Sequence, residues 1–305
     1  MLCHWDDVPS TTLENGDIRA VHRRLGEAAG AVGIGLSRYR VAAGCRAMPL
    51  HVHADEEEIF FVLAGSGYSW QDGALHEVRA GDAIVHRPSE EAHTLVAGDG
   101  EALDVLAFAS GSPTGLTLLP RAGVTRVGGR WLPQDAPNPL HAEPPAPELP
   151  PLAPRPDTIV ALDDVEGEEL RRGRGVRRVR RDLGRAAGSV RSGLQHVTIQ
   201  PLARSSARHC HSVEEELFVV LDGDGVVLLG DDEHPVRAGS IVARPPATGV
   251  AHVFRAGDGG MTMLAYGTRE ASDMCWYPDS SKVAFRGLGV IARVQRLDYW
   301  EGEEG

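Results

Sequence analysis

Three histidines and a glutamate stand at matched spacing twice in this 305-residue chain, each time as a set that can chelate a metal ion. His51, His53 and Glu58 recur 158 positions later as His209, His211 and Glu216, and a further histidine follows each group, His93 in the first and His252 in the second. Imidazole nitrogen and carboxylate oxygen together suit divalent first-row metals, and Mn, Fe, Ni, Co and Zn are all compatible with three such nitrogens and one such oxygen. The expectation is one divalent transition metal ion per set. Four protein ligands leave room in a six-coordinate shell for a substrate oxygen or dioxygen.

Such side chains must be aimed by the backbone, and the local sequence reads as strand. Residues two apart in a strand share a face, so His51 and His53 project together while Val52 points away, and His209 and His211 do the same around Cys210. Glu58 opens the apolar run Ile59-Phe60-Phe61-Val62-Leu63 and shares its face with Phe60 and Val62; Glu216 likewise stands with Phe218 and Val220. Each carboxylate is expected in a pocket with apolar walls, where low dielectric strengthens the pull of a metal. Short apolar segments punctuated by Gly, Asp and Pro, with turns at Gln71-Asp72-Gly73 and Gly230-Asp231-Asp232, predict an all-β fold.

The repeat extends beyond the ligands. Leu25, Gly30 and Leu36 match Leu183, Gly188 and Leu194; Gly65 matches Gly223, His76 matches His234, and Val78-Arg79-Ala80-Gly81 matches Val236-Arg237-Ala238-Gly239. The register slips by one residue only between Gly81 and the last histidine. A duplicated domain follows, with units of about 140 to 150 residues, an ordinary domain size. The division expected is 1–132, a linker over 133–156 dense in prolines (Pro137, Pro139, Pro144, Pro145 and Pro147 among them), and 157–305.

Composition bounds the function. Hydrophobic residues make up 42% and charged residues 24%, and no apolar run approaches the ~20 residues of a membrane span. A net charge of -12 argues against a nucleic-acid surface despite the arginines between Arg171 and Arg181, which alternate with Val176 and Val179 and are expected on a solvated strand or turn. The N-terminal residues show no signal peptide, and Cys3, Cys45, Cys210 and Cys275 have no paired spacing. A cytoplasmic protein with reduced thiols is expected.

The pattern His51-Val-His53, four residues, Glu58, six residues, Gly65, then Gly81, Pro88 and His93 resembles the two motifs of the cupin superfamily, and the second copy with Gly223, Gly239, Pro246 and His252 resembles them equally. The chain is similar to bicupins over nearly all of both units, within a poorly characterised bacterial group. It departs at the usual glycine after the motif-two proline, which is Glu90 in the first copy, while Gly249 in the second comes one residue late. The resemblance implies two tandem cupin double-stranded β-helix (jelly-roll) barrels, each with a metal site in its mouth. It implies a metal-dependent enzyme of dioxygenase, decarboxylase or isomerase type acting on a small oxygen-rich molecule; a binding or sensing protein that holds a small ligand through a metal without turnover is the alternative. Catalytic residues beyond the ligands are not identified, no nucleic-acid or membrane partner is expected, and a homodimer is left open.

Other residues have competing readings. Asp55, Glu56 and Glu57, like Glu214 and Glu215, could supply the carboxylate, but spacing to Gly65 and Gly223 favours Glu58 and Glu216. His76 and His234 read as surface or hydrogen-bonded histidines. His86 is a candidate for a role beside the first site, and Arg244, its counterpart, would suit a substrate carboxylate or phosphate, or else pair with a surface acid. Tyr68 and Trp70 replace Val226 and Leu228, which predicts unlike pockets. Cys210 faces away from its flanking histidines and is left out of the site.

Overall fold

The computed structural model describes residues 2–110, 115–132, 148–173 and 175–303. It is all-β, built as two barrels of antiparallel strands. In the first, one sheet runs in the order 159–161, 82–86, 58–64, 103–109, 35–41, 18–24, 10–15, and smaller sheets of 66–71, 74–79 and 93–97 and of 52–53, 116–119, 124–127 and 130–132 close the barrel. The second repeats this plan, but Glu216–Leu229 and His252–Thr268 are continuous strands that bend from one sheet to the other where the first barrel uses two strands each.

The bends explain a sequence feature. Gly65 and Gly223 take φ values of +84° and +78°, and a Cβ at either would lie 2.2 Å from a backbone carbonyl, of Ala102 and Gly260 respectively. Only glycine fits both the left-handed backbone and the close approach. Asp72 and Gly73, both at positive φ, turn strand 66–71 into 74–79 as the hairpin signal predicts.

Strand alternation sorts side chains between two environments. Phe60 and Val62 fill the first barrel, and Phe218 and Val220 the second. Ile59 and Phe61, with Leu217 and Val219, instead join one apolar cluster shared by both units, where Phe108 and Tyr266 meet with ring centroids 5.0 Å apart. Two short edge strands cross between units: Leu2–His4 pairs with Ser240–Val242, and Ile159–Ala161 pairs with Asp82–Ile84.

Most of the proline-rich segment, 133–147, lies outside the described residues. Its end runs along the first barrel: Leu75 N donates to Pro151 O (3.2 Å), Ala153 N to Leu75 O (2.9 Å), and His76 Nδ1 to Pro154 O (2.8 Å). His76 is thus a hydrogen-bonded histidine. Trp70 packs with Leu75 and Val96 in a small satellite cluster against which Tyr68 also lies, so these aromatics do not distinguish the pockets. The interior position of that strand belongs to buried Ser69, as it belongs to Val227 in the second barrel.

Candidate metal centre

In the first barrel the four expected residues converge. The Nε2 atoms of His51, His53 and His93 lie 3.3, 3.2 and 3.0 Å from one oxygen of Glu58. His51 and His93 are locked side by side by reciprocal backbone bonds, His51 N to His93 O (3.2 Å) and His93 N to His51 O (2.8 Å). His51 Nδ1 donates to Pro49 O (3.0 Å) and His93 Nδ1 to Glu91 O (3.2 Å), since a carbonyl can only accept. With the proton held at Nδ1, each Nε2 turns a lone pair toward Glu58, the outer-sphere arrangement that prepares a histidine for a metal. Lone pairs facing an anionic oxygen repel unless a proton or cation lies among them, so the donor set fits a divalent metal.

The second barrel places His209, His211 and His252 with Nε2 atoms 4.0, 3.6 and 3.2 Å from one Glu216 oxygen, a somewhat wider nest. That oxygen is buried with no hydrogen-bond partner. His209 Nδ1 donates to Ala207 O (2.8 Å), and His211 Nδ1 donates to Asp273 Oδ2 (2.7 Å). Asp273 is itself fixed by backbone N–H groups of Ser212, Val213 and Glu214. Sequence reading missed Asp273 and also Cys275, whose sulfur lies within 4.8 Å of ligand atoms of His209 and His211. Both come from a strand region some sixty residues downstream, where no local spacing signals them.

Electrostatics agree with the geometry. Burial pushes the Glu58 carboxyl up, but the three surrounding histidines, the charge of His53 first, outweigh it and hold the group well below the usual range. Glu216 is lowered in the same way by its histidines against the opposing effect of burial. Burial, assisted by neighbouring histidines, brings His93 and His209 down to about 4, so both are neutral, as ligands must be, at neutral pH.

The neighbouring glutamates do other work. Glu57 accepts from Ser189 Oγ (2.7 Å) and Val190 N (3.2 Å) of the other unit, and Glu215 accepts from Val32 N (3.0 Å) and Gly33 N (2.7 Å) in return. Glu56 and Glu214 stand 3.4 and 3.7 Å from Nδ1 of His53 and His211. The proline loops keep their aim despite their departures from the motif, because Ser89 and Ala247 adopt positive φ and their N–H groups bond His53 O (2.7 Å) and His211 O (2.9 Å).

Two expectations need correction. Arg244 does not line the cavity that exposes the second set: its Nη2 bonds Val250 O and Thr248 Oγ1 and thereby ties down the loop that carries His252, while its Nε is buried without a partner. The arginine run is a strand, Val176–Asp182, but not a wholly solvated one, since alternation turns Arg178 and Arg180 into a cavity of 720 Å³ that also exposes His209, His211, Glu216 and His252. His86 is buried and stacks on His93, ring centroids 3.7 Å apart.

Residues 37–108 and 195–266 each match the family described as "Cupin domain", and the two stretches contain all eight converging residues, four in each. The chain is a tandem pair of cupin domains. Among solved structures, these cupin domains together resemble a variant of Bacillus subtilis oxalate decarboxylase (17% identity, TM-score 0.61, covering 90% of this chain and 78% of that one). They also resemble the Lactobacillus farciminis oxalate decarboxylase in its formate complex (18% identity, TM-score 0.63, covering 90% and 87%). At such identities the likeness is one of fold. No curated protein matches the chain.

Proposed function

We propose that this bicupin is a metal-dependent enzyme acting on a small oxygen-rich organic molecule, with His51, His53, Glu58 and His93 holding one metal and His209, His211, Glu216 and His252 the other. The observation that carries the reading is the second site, where four converging donors face a cavity of 720 Å³ that a small molecule can enter. A divalent metal held there would polarise a substrate oxygen and stabilise negative charge on it, the common opening of dioxygenase, decarboxylase and isomerase chemistry. Asp273 keeps the His211 proton on Nδ1 and aims Nε2 at the site. Tyr277, stacked on His209 with centroids 5.8 Å apart, walls one side. The fold likeness to oxalate decarboxylases makes oxalate the first substrate to assay. Four free cysteines support a reducing, cytoplasmic setting; among the described residues no helix is long and apolar enough to cross a membrane.

The test is metal content by mass spectrometry on protein purified without chelators, for wild type, His51→Ala and His209→Ala, with carbon dioxide release and oxygen uptake followed alongside. About two equivalents of metal, with each variant losing about one, is the expected result. No bound metal, and none taken up on titration with Mn, Fe or Co, overturns the reading. Full loading without turnover of oxalate or other small acids and diols favours the binding protein instead.

A further inference from the structure

The two barrels differ in charge where their cavities are walled. At the constant offset of 158 positions, strand Val176–Asp182 corresponds to Ile18–Arg24 and strand Lys282–Phe285 to Val124–Val127. Arg178 therefore takes the place of buried Ala20, Arg180 that of His22, and Lys282 that of Val124. The first barrel has no cation at any of the three positions, and the second has one at each.

Of the cations that line the second cavity, Arg178 is the one with a buried donor left unpaired; Arg172 reaches Arg171 O and Lys282 lies over the Tyr277 ring. Arg180 is paired with Glu168 and Arg286 with Glu214. Arg178 donates to a carbonyl, Ser205 O, at 2.7 Å; its Nε is buried with no partner, and among the described residues no carboxylate lies within 4.0 Å. The carboxylates that share its cavity are committed, Glu216 to the three histidines and Asp273 to His211 and three backbone N–H groups. A guanidinium at a cavity wall with a donor left unpaired is a costly feature unless an anion completes it. Much of the remaining wall is apolar, including Leu170, Val176 and Phe218.

We propose that the second barrel binds an organic anion with an apolar body, a monocarboxylate whose charged end pairs with Arg178 and whose hydrocarbon or ring lies against Leu170, Val176 and Phe218. This names the ligand class for the second of the two sites in the function proposed above, and rests on that reading only in sharing its cavity, because the Arg178 contact forms with or without metal. The first barrel, with Ala20, His22 and Val124 in place of the three cations, does not take the same ligand.

Benzoate, benzamide and acetate separate the two components, charge and body. Calorimetric titration of the full-length protein, as purified and after chelation, is expected to show about one benzoate per chain, with benzamide and acetate each at least about tenfold weaker. Arg178→Gln should weaken benzoate about tenfold or more while leaving benzamide binding and metal content unchanged. Arg178→Lys keeps the charge but loses the fork, and should fall between the two; it is the variant to read if the glutamine form does not fold. Benzoate that does not bind, binds no better than benzamide, binds twice per chain, or is indifferent to both substitutions overturns the proposal. Arg178-dependent binding by a protein that takes up no metal would sustain it while the enzymatic reading falls; full metal loading without benzoate binding would do the reverse.

Discussion

Glu56, Glu57 and Glu58 are one residue type in three consecutive positions, and each does something different: one stands beside His53 Nδ1, one clasps the other barrel, and one faces the three Nε2 atoms. Position decides this: Glu58 opens the strand in phase with Phe60 and Val62 and points into the barrel, Glu57 is out of phase with them, and Glu56 lies before the strand begins. The ligand candidates were legible because they are local: two histidines two apart, a glutamate five on, and a doubled pattern. Asp273 was not legible, because it reaches His211 across 62 residues and its meaning depends on a fold-level contact. It should matter nonetheless. Asp273→Asn removes the anion that fixes the His211 tautomer, and is expected to weaken metal binding at the second site by about 10–100-fold while the first is unaffected, read by competition with a chromophoric chelator. Equal loss at both sites, or none, would show that His211 needs no such support.

At the scale of elements, the strands themselves were readable from alternation, but how they bend was readable only through glycine. Gly223 and Gly249 both sit at positive φ, yet a Cβ at Gly223 would meet Gly260 O at 2.2 Å, whereas nothing lies within 4 Å of one at Gly249. Gly249→Ala therefore bears the backbone cost alone, about 1 kcal/mol, and Gly223→Ala should cost about 3 kcal/mol because the bend between sheets must also open. Denaturant titration of the two variants reads the difference directly, and equal values would mean that the bend in strand Glu216–Leu229 is soft. The arginine strand shows where alternation is too weak a guide. Arg177 and Arg181 alternate with Arg178 and Arg180, so both faces look equally charged in sequence; only the barrel's closure turns one of them inward.

For the molecule as a whole, duplication would suggest two independent domains joined by a proline-rich spacer, and the packing says otherwise. Leu25, Leu36, Phe61 and Phe108 of one unit and Leu194, Leu217, Leu264 and Tyr266 of the other form a single buried cluster. Glu57 and Glu215 exchange hydrogen bonds across it in a pseudo-twofold pair, and the edge strands Leu2–His4 and Ile159–Ala161 each complete the sheet of the opposite barrel. None of this was visible beforehand, because three-residue strands carry no periodicity and an apolar face does not name its partner. Separating the halves would expose that face, at about 25 cal/mol per Å² of apolar surface, and leave the buried Glu57 without its donors. Residues 1–132 and 157–305 expressed apart are accordingly expected to aggregate, while the intact chain should unfold in one calorimetric transition whose van't Hoff and calorimetric enthalpies agree. Two resolved transitions, or soluble halves that each retain a metal, would show that the barrels fold alone and that the shared core is an accessory to stability.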